Sequence, residues 1–215
     1  MGEDPVSRRC PGCGRPRPAS VPCASPWCER PDRGWAWVSA AGAYRGRLRA
    51  DLLSYKREGD RRMADRLGGL LARELADTAG WWEEWDLLVA VPAYRGFGAR
   101  RSWDAVRGLL LAAAAQVGPG WEVLPGAVVK LGETPPLAGL DGPGRRRAAA
   151  SRLRPALSVP DPSAVRGRRV VVVDDVFTEG STLREVAMAL RRAGASEVAG
   201  LVVAAAEWGG GRKRG

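Results

Sequence analysis

The sequence predicts an α/β domain built on a doubly wound parallel sheet. Apolar runs of strand length at residues 87–91 and 170–173 lack the polar alternation that marks half-exposed strands. Amphipathic stretches with helical spacing separate such runs, which favours helices on both faces of the sheet. The chain has 215 residues, enough for one full domain and a small appendage.

The first half of the chain contains alternating strand and helix patterns. Residues 35–44 alternate loosely, as in a strand or hairpin, and residues 48–79 show helical spacing that Gly59 and Asp60 interrupt. A strand at residues 87–91 ends at Pro92, and a helix follows at residues 105–115. Residues 122–130 form another candidate strand.

The second half continues the pattern after a long connection. Residues 133–147, rich in Gly, Pro and Arg, predict a mobile loop. A buried strand at 170–173, a helix at 181–193 ended by Gly194, and a strand at 198–206 follow. The chain therefore divides into a cysteine module at 1–34, an α/β domain at 35–208 and a basic, disordered tail at 209–215.

The charge balance is strongly basic. There are 34 basic and 24 acidic residues, a formal net charge of +10, and only three of the basic residues are lysines. Arginine suits phosphate oxygens, so phosphate-rich ligands or nucleic acid are reasonable partners; codon bias that leaves a solvated basic surface is the alternative. Histidine is absent, which excludes histidine-based triads and histidine-ligated metals.

Neither a secretion signal nor a membrane span is expected. The N-terminus lacks an apolar core, and no apolar run approaches the roughly 18 residues of a span. We expect a soluble, cytoplasmic protein.

All four cysteines lie near the N-terminus, as the pairs Cys10–Cys13 and Cys23–Cys28. Two close pairs favour a four-thiolate Zn²⁺ site, although two disulfides or free thiols are alternatives. Four protein ligands would leave no open position on the metal, so the predicted role is structural.

The stretch VVVVDDVFTEGST, residues 170–182, carries the chemistry. Asp174 and Asp175 would emerge at the carboxyl end of a central strand, where ligands bind in such sheets. A sugar diol or a divalent cation could compensate the two adjacent carboxylates. Gly180 and the hydroxyl residues around it would open a helix whose amide groups cradle phosphate. The stretch therefore predicts a clamp for ribose 5-phosphate.

This stretch resembles the phosphoribosyl-pyrophosphate (PRPP) fingerprint of type I phosphoribosyltransferases. The resemblance implies that fold, bound Mg²⁺, and catalysis by Asp174 and Asp175. It also implies PRPP contacts from residues 174–182, which are Asp174, Asp175, Val176, Phe177, Thr178, Glu179, Gly180, Ser181 and Thr182. Glu179 departs from the fingerprint, which has a small residue there, and would lower affinity for an anion unless it points to solvent.

The order of motifs along most of the chain is similar to the ComF family, phosphoribosyltransferase homologues associated with bacterial DNA uptake. The similarity rests on the four cysteines, the stretch at 44–67, the VP turn and residues 167–198. It implies a pyrophosphate loop at 91–96 with contacts from Ala93, Tyr94, Arg95 and Gly96, and an arginine-bearing cover at 130–147 that includes Lys130. A plain turn and a basic loop are the alternatives. Leu137 and Ala148 depart from the family pattern, so the acceptor cannot be identified.

The resemblance implies transfer of phosphoribosyl from PRPP to a nitrogen acceptor with release of diphosphate. One alternative is a non-catalytic competence factor that binds PRPP, single-stranded DNA or competence-machinery proteins. In that alternative Trp27, Trp35 and Trp37 would stack on bases, or else pack a small core. The other is a regulator for which PRPP is a signal.

Overall fold

The computed structural model describes residues 9–15, 23, 25, 27–28, 30–85, 87–99, 103–118, 120–135, 137 and 139–206. The predicted tail lies outside the described residues. The strands are β1 Val38–Ala40, β2 Leu87–Ala90, β3 Glu122–Val123, β4 Val129–Lys130, β5 Leu157–Ser158, β6 Arg169–Phe177 and β7 Glu197–Ala205. The helices are α1 Gly46–Glu58, α2 Arg61–Asp77, α3 Ala105–Ala114, α4 Gly142–Ala148, α5 Arg154–Ala156 and α6 Ser181–Arg192.

Five strands form one parallel sheet in the order β1-β7-β6-β2-β3. Strand β6 lies in the middle, and its residues Val170, Val171, Val172 and Val173 are fully buried. The connection from β2 to β3 through α3 runs towards one edge, whereas that from β6 to β7 through α6 runs towards the other. Since such crossovers are right-handed, α3 and α6 cover opposite faces. The predicted parallel sheet with helices on both faces is confirmed.

Most elements begin and end close to the predicted positions. The helical stretch at 48–79 divides at Gly59 and Asp60, and the Asp60 carboxylate accepts a hydrogen bond from the Arg62 amide at the start of α2. Of the two alternatives for residues 35–44, the strand is correct: β1 pairs in parallel with β7 and forms no hairpin.

Two predictions about the connections are wrong. Residues 122–130 are two strands, because a turn at 125–126 separates β3, which pairs with β2, from β4, which pairs antiparallel with β5. The predicted loop at 133–147 ends in helix α4. Asp141 caps that helix by accepting from the Gly144 amide at 2.7 Å, and Pro143 fits its first turn.

Candidate functional site

The crevice of the sheet lies between β6 and β2. The chain leaves these neighbouring strands in opposite directions, so their carboxyl ends have no crossover between them, and ligands of open α/β sheets bind at such a point. The Val91 amide donates to the Val173 carbonyl at 2.9 Å and closes the pairing of the two strands. The last residues of β6 with the turn at 178–182, and the loop at 91–98, therefore lie at the same edge of the sheet.

The sequence predicted that Asp174 and Asp175 emerge at the carboxyl end of the strand. In the structure both residues still belong to β6, which continues to Phe177. The strand stays paired with β7 as far as Phe177 opposite Ala205, whereas β2 stops opposite Val173. From Asp174 onward, the side of β6 that faced β2 therefore borders the crevice. The Asp174 carboxylate accepts from the Asp175 amide at 2.8 Å, which fixes its orientation.

Lys56, which no sequence motif indicated, compensates the acidic pair. Its Nζ lies 2.5 Å from Oδ2 of Asp175, and both side chains are largely buried. The adjacent Tyr55 anchors this part of α1, since its hydroxyl donates to the Ala105 carbonyl at 3.0 Å. The only signal in the sequence was the rarity of lysine in an arginine-rich chain.

The environment of the acidic pair changes its protonation. Burial, followed by repulsion from Asp175, raises the pKa of Asp174 to about 8, although Lys56 opposes this. Burial and the nearby Asp104 and Asp175 carboxylates raise the pKa of Tyr55 to about 12. The site therefore carries less negative charge near neutral pH than two free carboxylates would.

The turn after β6 requires glycine at position 180. Gly180 has a φ of 95°, and a Cβ there would lie 2.8 Å from Phe177 and 2.9 Å from Trp35. Helix α6 begins at Ser181, so its first amide groups have no partner within the helix. Thr178 is exposed and Thr182 is half-buried, whereas Ser181 is 4% exposed. Of the three hydroxyls, those of Thr178 and Thr182 are therefore the accessible ones.

Glu179 does not point to solvent. It is 1% exposed, and its carboxylate accepts from Arg146 of α4 at 3.0 Å and from the Ser181 hydroxyl at 3.3 Å. The negative charge of Glu179, which was predicted to oppose a bound anion, is thus paired with Arg146 inside the protein. Arg146, predicted to lie in a mobile cover, holds α4 against the turn.

The loop after β2 is exposed. Ala93, Arg95 and Gly96 face solvent, and Tyr94 is half-buried with its hydroxyl donating to the Phe97 carbonyl at 3.3 Å. The Ala93 amide donates to Asp104, the residue that caps α3, at 3.3 Å. Arg95 has no ion partner among the described residues, so its guanidinium is available to a ligand.

Lys130 lies apart from the five-stranded sheet. It belongs to β4, where it pairs with Leu157 of β5. Its predicted contact with PRPP therefore stays a prediction.

The four cysteine thiols form one cluster. Their Sγ atoms all lie within 4.8 Å of one another, with 3.6 Å between Cys10 and Cys28, 3.5 Å between Cys13 and Cys23, and 3.4 Å between Cys23 and Cys28. These separations are far longer than a disulfide bond and close to the edge of about 3.8 Å expected for a tetrahedron of thiolates around zinc. The cluster fits a four-thiolate metal site, and the disulfide alternative is not what the structure contains.

The cysteine segment packs directly against the candidate phosphate turn. Arg15, 6% exposed, donates to the carbonyls of Thr178 and Ala206 and lies over the Phe177 ring. The Val38 amide donates to the Pro11 carbonyl at 2.8 Å, which joins the segment to β1. The cysteine segment therefore contacts the turn directly through Arg15.

The tryptophans near the cysteines pack inside the protein. Trp27 and Trp35 are 6% and 4% exposed, and Trp37 contacts Trp81, Trp82 and Trp85. Of the two alternatives, core packing is the one that the structure shows. In the described part of the chain, no helix is both long and apolar enough to cross a bilayer.

Comparison with known proteins finds similarity in the second part of the chain. Residues 135–214 match the profile of a family described as the phosphoribosyl transferase domain. A matching solved structure is described as the allosteric regulatory enzyme of purine biosynthesis. It is 27% identical, with 65% of this chain and 25% of that chain covered and a TM-score of 0.38. The present chain thus spans about a quarter of that one. No curated protein matches this chain.

The predicted fold class is confirmed: a parallel α/β sheet, part of which matches the phosphoribosyl transferase domain, together with a small segment of clustered cysteines. The matched residues include β6, the turn at 178–182 and α6, and exclude the cysteine segment and the loop at 91–96.

Proposed function

We propose that this protein is a PRPP-binding phosphoribosyltransferase that transfers the phosphoribosyl group to a nitrogen acceptor and releases diphosphate. One observation carries the proposal. The acidic pair of β6 and the glycine turn that opens α6 border the crevice between β6 and β2. Both features belong to the stretch that matches the phosphoribosyl transferase domain.

In this proposal the ribose 5-phosphate part of PRPP follows β6 into α6. The ribose hydroxyls donate to Asp174 and Asp175, and the 5-phosphate accepts from the amide groups of residues 178–182 and from the accessible hydroxyls of Thr178 and Thr182. Lys56 holds the acidic pair together before the sugar arrives.

The bond between the anomeric carbon and diphosphate breaks as the acceptor nitrogen bonds to that carbon. Positive charge develops on the ribose, and Asp174 and Asp175 favour it; negative charge develops on diphosphate, and Arg95 stabilises it. The carboxylates of the pair are oxygen ligands suited to Mg²⁺, which would supply further charge neutralisation at the diphosphate. No covalent intermediate is needed, in keeping with the absence of histidine.

A second candidate is a protein that binds PRPP without turnover, as a regulator or as a competence factor in DNA uptake. The departures at Leu137 and Ala148 from the family pattern favour it, because they lie in the region that the resemblance assigns to acceptor binding and to the cover. Direct contact with single-stranded DNA would then show as binding that weakens steeply with salt.

Titration calorimetry with PRPP and Mg²⁺ tests the binding step. We expect the double variant Asp174→Asn/Asp175→Asn to lose at least ten-fold in affinity, and Asp77→Asn, an exposed carboxylate at the end of α2, to bind like the wild type. Equal heats in the wild type and the double variant would end the proposal. A diphosphate-release assay across nucleobases and small amines separates the two candidates, since turnover with any acceptor counts against the second.

A further inference from the structure

Lys56 lies where a metal ion bound to the acidic pair would also have to lie. Its Nζ is 2.5 Å from Oδ2 of Asp175, and the two side chains are 25% and 13% exposed. Asp174 adjoins this ion pair, and the Asp104 carboxylate adds a further negative charge that acts on Asp174. Among the described residues, no other cation forms an ion pair with any of these three carboxylates. The ammonium group is therefore the resident cation at this end of the crevice.

The backbone at Lys56 is held in place, whereas its side chain can move. Lys56 lies in the last turn of α1, and the preceding Tyr55 is 2% exposed. The Tyr55 hydroxyl donates to the Ala105 carbonyl of α3 at 3.0 Å, and its ring packs edge-on against Trp103 with 4.9 Å between the ring centres. A lysine carries its ammonium on a flexible four-carbon stem. The ammonium can therefore leave Asp175 while α1 keeps its place.

A divalent cation cannot bind the pair while the ammonium is there. Mg²⁺ lies about 2.1 Å from a carboxylate oxygen, so a metal bound to Asp175 would come close to the Lys56 Nζ. Two positive charges at such a short separation in a half-buried site repel each other strongly. A ligand that carries its own anionic groups, as PRPP does, would offer the ammonium a new partner and remove this repulsion.

We propose that Lys56 makes the acidic pair selective for a metal ion that arrives with a phosphorylated ligand over the free metal ion. This selectivity rests on the proposed function, which assigns PRPP and Mg²⁺ to the pair. In the free protein the ammonium occupies the pair and excludes the metal. When the ligand binds, its hydroxyls replace the ammonium at Asp175, and its diphosphate becomes the new partner of Lys56.

Binding of Mn²⁺ alone, measured by the loss of the electron paramagnetic resonance signal of the free ion, tests the exclusion. We expect Lys56→Met to bind Mn²⁺ more tightly than the wild type by about ten-fold or more, because the pair loses its resident cation. Lys56→Gln provides the same test if the methionine variant does not fold. Arg57→Met removes the same charge from an exposed neighbour that, in the described part of the chain, makes no ion pair with either aspartate. It should bind Mn²⁺ as the wild type does.

Further substitutions assign the gain to the pair. Adding Asp175→Asn to Lys56→Met should abolish the gain, and Lys56→Arg, which keeps the positive charge, should bind Mn²⁺ as weakly as the wild type. The proposal is overturned if Lys56→Met and Lys56→Gln bind Mn²⁺ no more tightly than the wild type, if the gain survives Asp175→Asn, or if Arg57→Met gains equally. PRPP is absent from these titrations, so its failure to bind the wild type in calorimetry would reject the proposed function by a separate measurement.

Discussion

At the scale of single residues, Asp174 is the group on which the site depends most. It adjoins a second carboxylate, it is half-buried, and the nearest cation, Lys56, lies on Asp175. A bound ribose would reduce the repulsion between the two carboxylates, because its hydroxyls donate hydrogen bonds to them.

The raised pKa of Asp174 predicts how stability changes with pH. The pKa is about 8 in the folded protein and near 3.8 when unfolded, so the folded state binds the extra proton between these values. The free energy of unfolding should therefore fall as pH rises from about 4 to 8, by at most about 1.4 kcal/mol per pH unit. Urea unfolding at several pH values should show a shallower fall for Asp174→Asn.

The matched control is Asp77→Asn, whose carboxylate is exposed. It should keep the wild-type slope. Parallel curves for the wild type and Asp174→Asn would contradict the assignment of this proton to Asp174.

At the scale of elements, the packing of α2 on α3 supports the crevice from one face of the sheet. Gly68 of α2 lies against the α3 backbone, and a Cβ at that position would come within 2.6 Å of the Ala112 Cβ and 2.7 Å of the Ala113 amide nitrogen. A Cβ at the neighbouring Gly69 would instead meet the end of a side chain, with the Gln116 Oε1 at 2.8 Å. Asp104 caps α3 and also accepts from the Ala93 amide of the loop at 91–98, so the position of α3 affects that loop at the crevice.

The two glycines predict opposite sensitivities. Gly68→Ala should lower the free energy of unfolding by about 1–3 kcal/mol, because backbone atoms of α3 would have to move. Gly69→Ala should change it by less than about 1 kcal/mol, since a small shift of the Gln116 amide oxygen removes the close contact and alanine favours the helix. Chemical denaturation measures both variants, and equal effects would refute close packing at Gly68.

At the scale of the whole molecule, the cysteine segment and the sheet share one core. Cys10, Cys13 and Trp27 pack with the buried residues of the strands, and Arg15 spans from the segment to the end of β6. A metal bound by the four thiolates would therefore stabilise the phosphate turn as well as its own segment.

Metal removal provides the corresponding prediction. Elemental analysis of the purified protein should find one Zn²⁺ per chain, and Cys13→Ser, which replaces a fully buried thiol, should hold almost none. We expect chelation to weaken PRPP binding at least ten-fold in calorimetry, and added zinc to restore it in the wild type but not in Cys13→Ser. Metal-free wild type that binds PRPP as before would show that the turn is independent of the segment.

The sequence by itself determined the strands and helices of the sheet, the acidic pair followed by a glycine turn, and the two cysteine pairs. Each of these depends on periodicity, local conformation or side-chain chemistry within a short stretch, which a sequence states directly. The predictions for two stretches were wrong. A turn divides residues 122–130 into two strands, and a helix cap at Asp141 starts a helix within the loop predicted at 133–147. Only the tertiary structure decided that Lys56 lies on Asp175, that Arg146 neutralises Glu179, and that Arg15 reaches a carbonyl 163 positions away. Such contacts join separate elements, and their geometry is set by how helices and strands pack rather than by any local pattern.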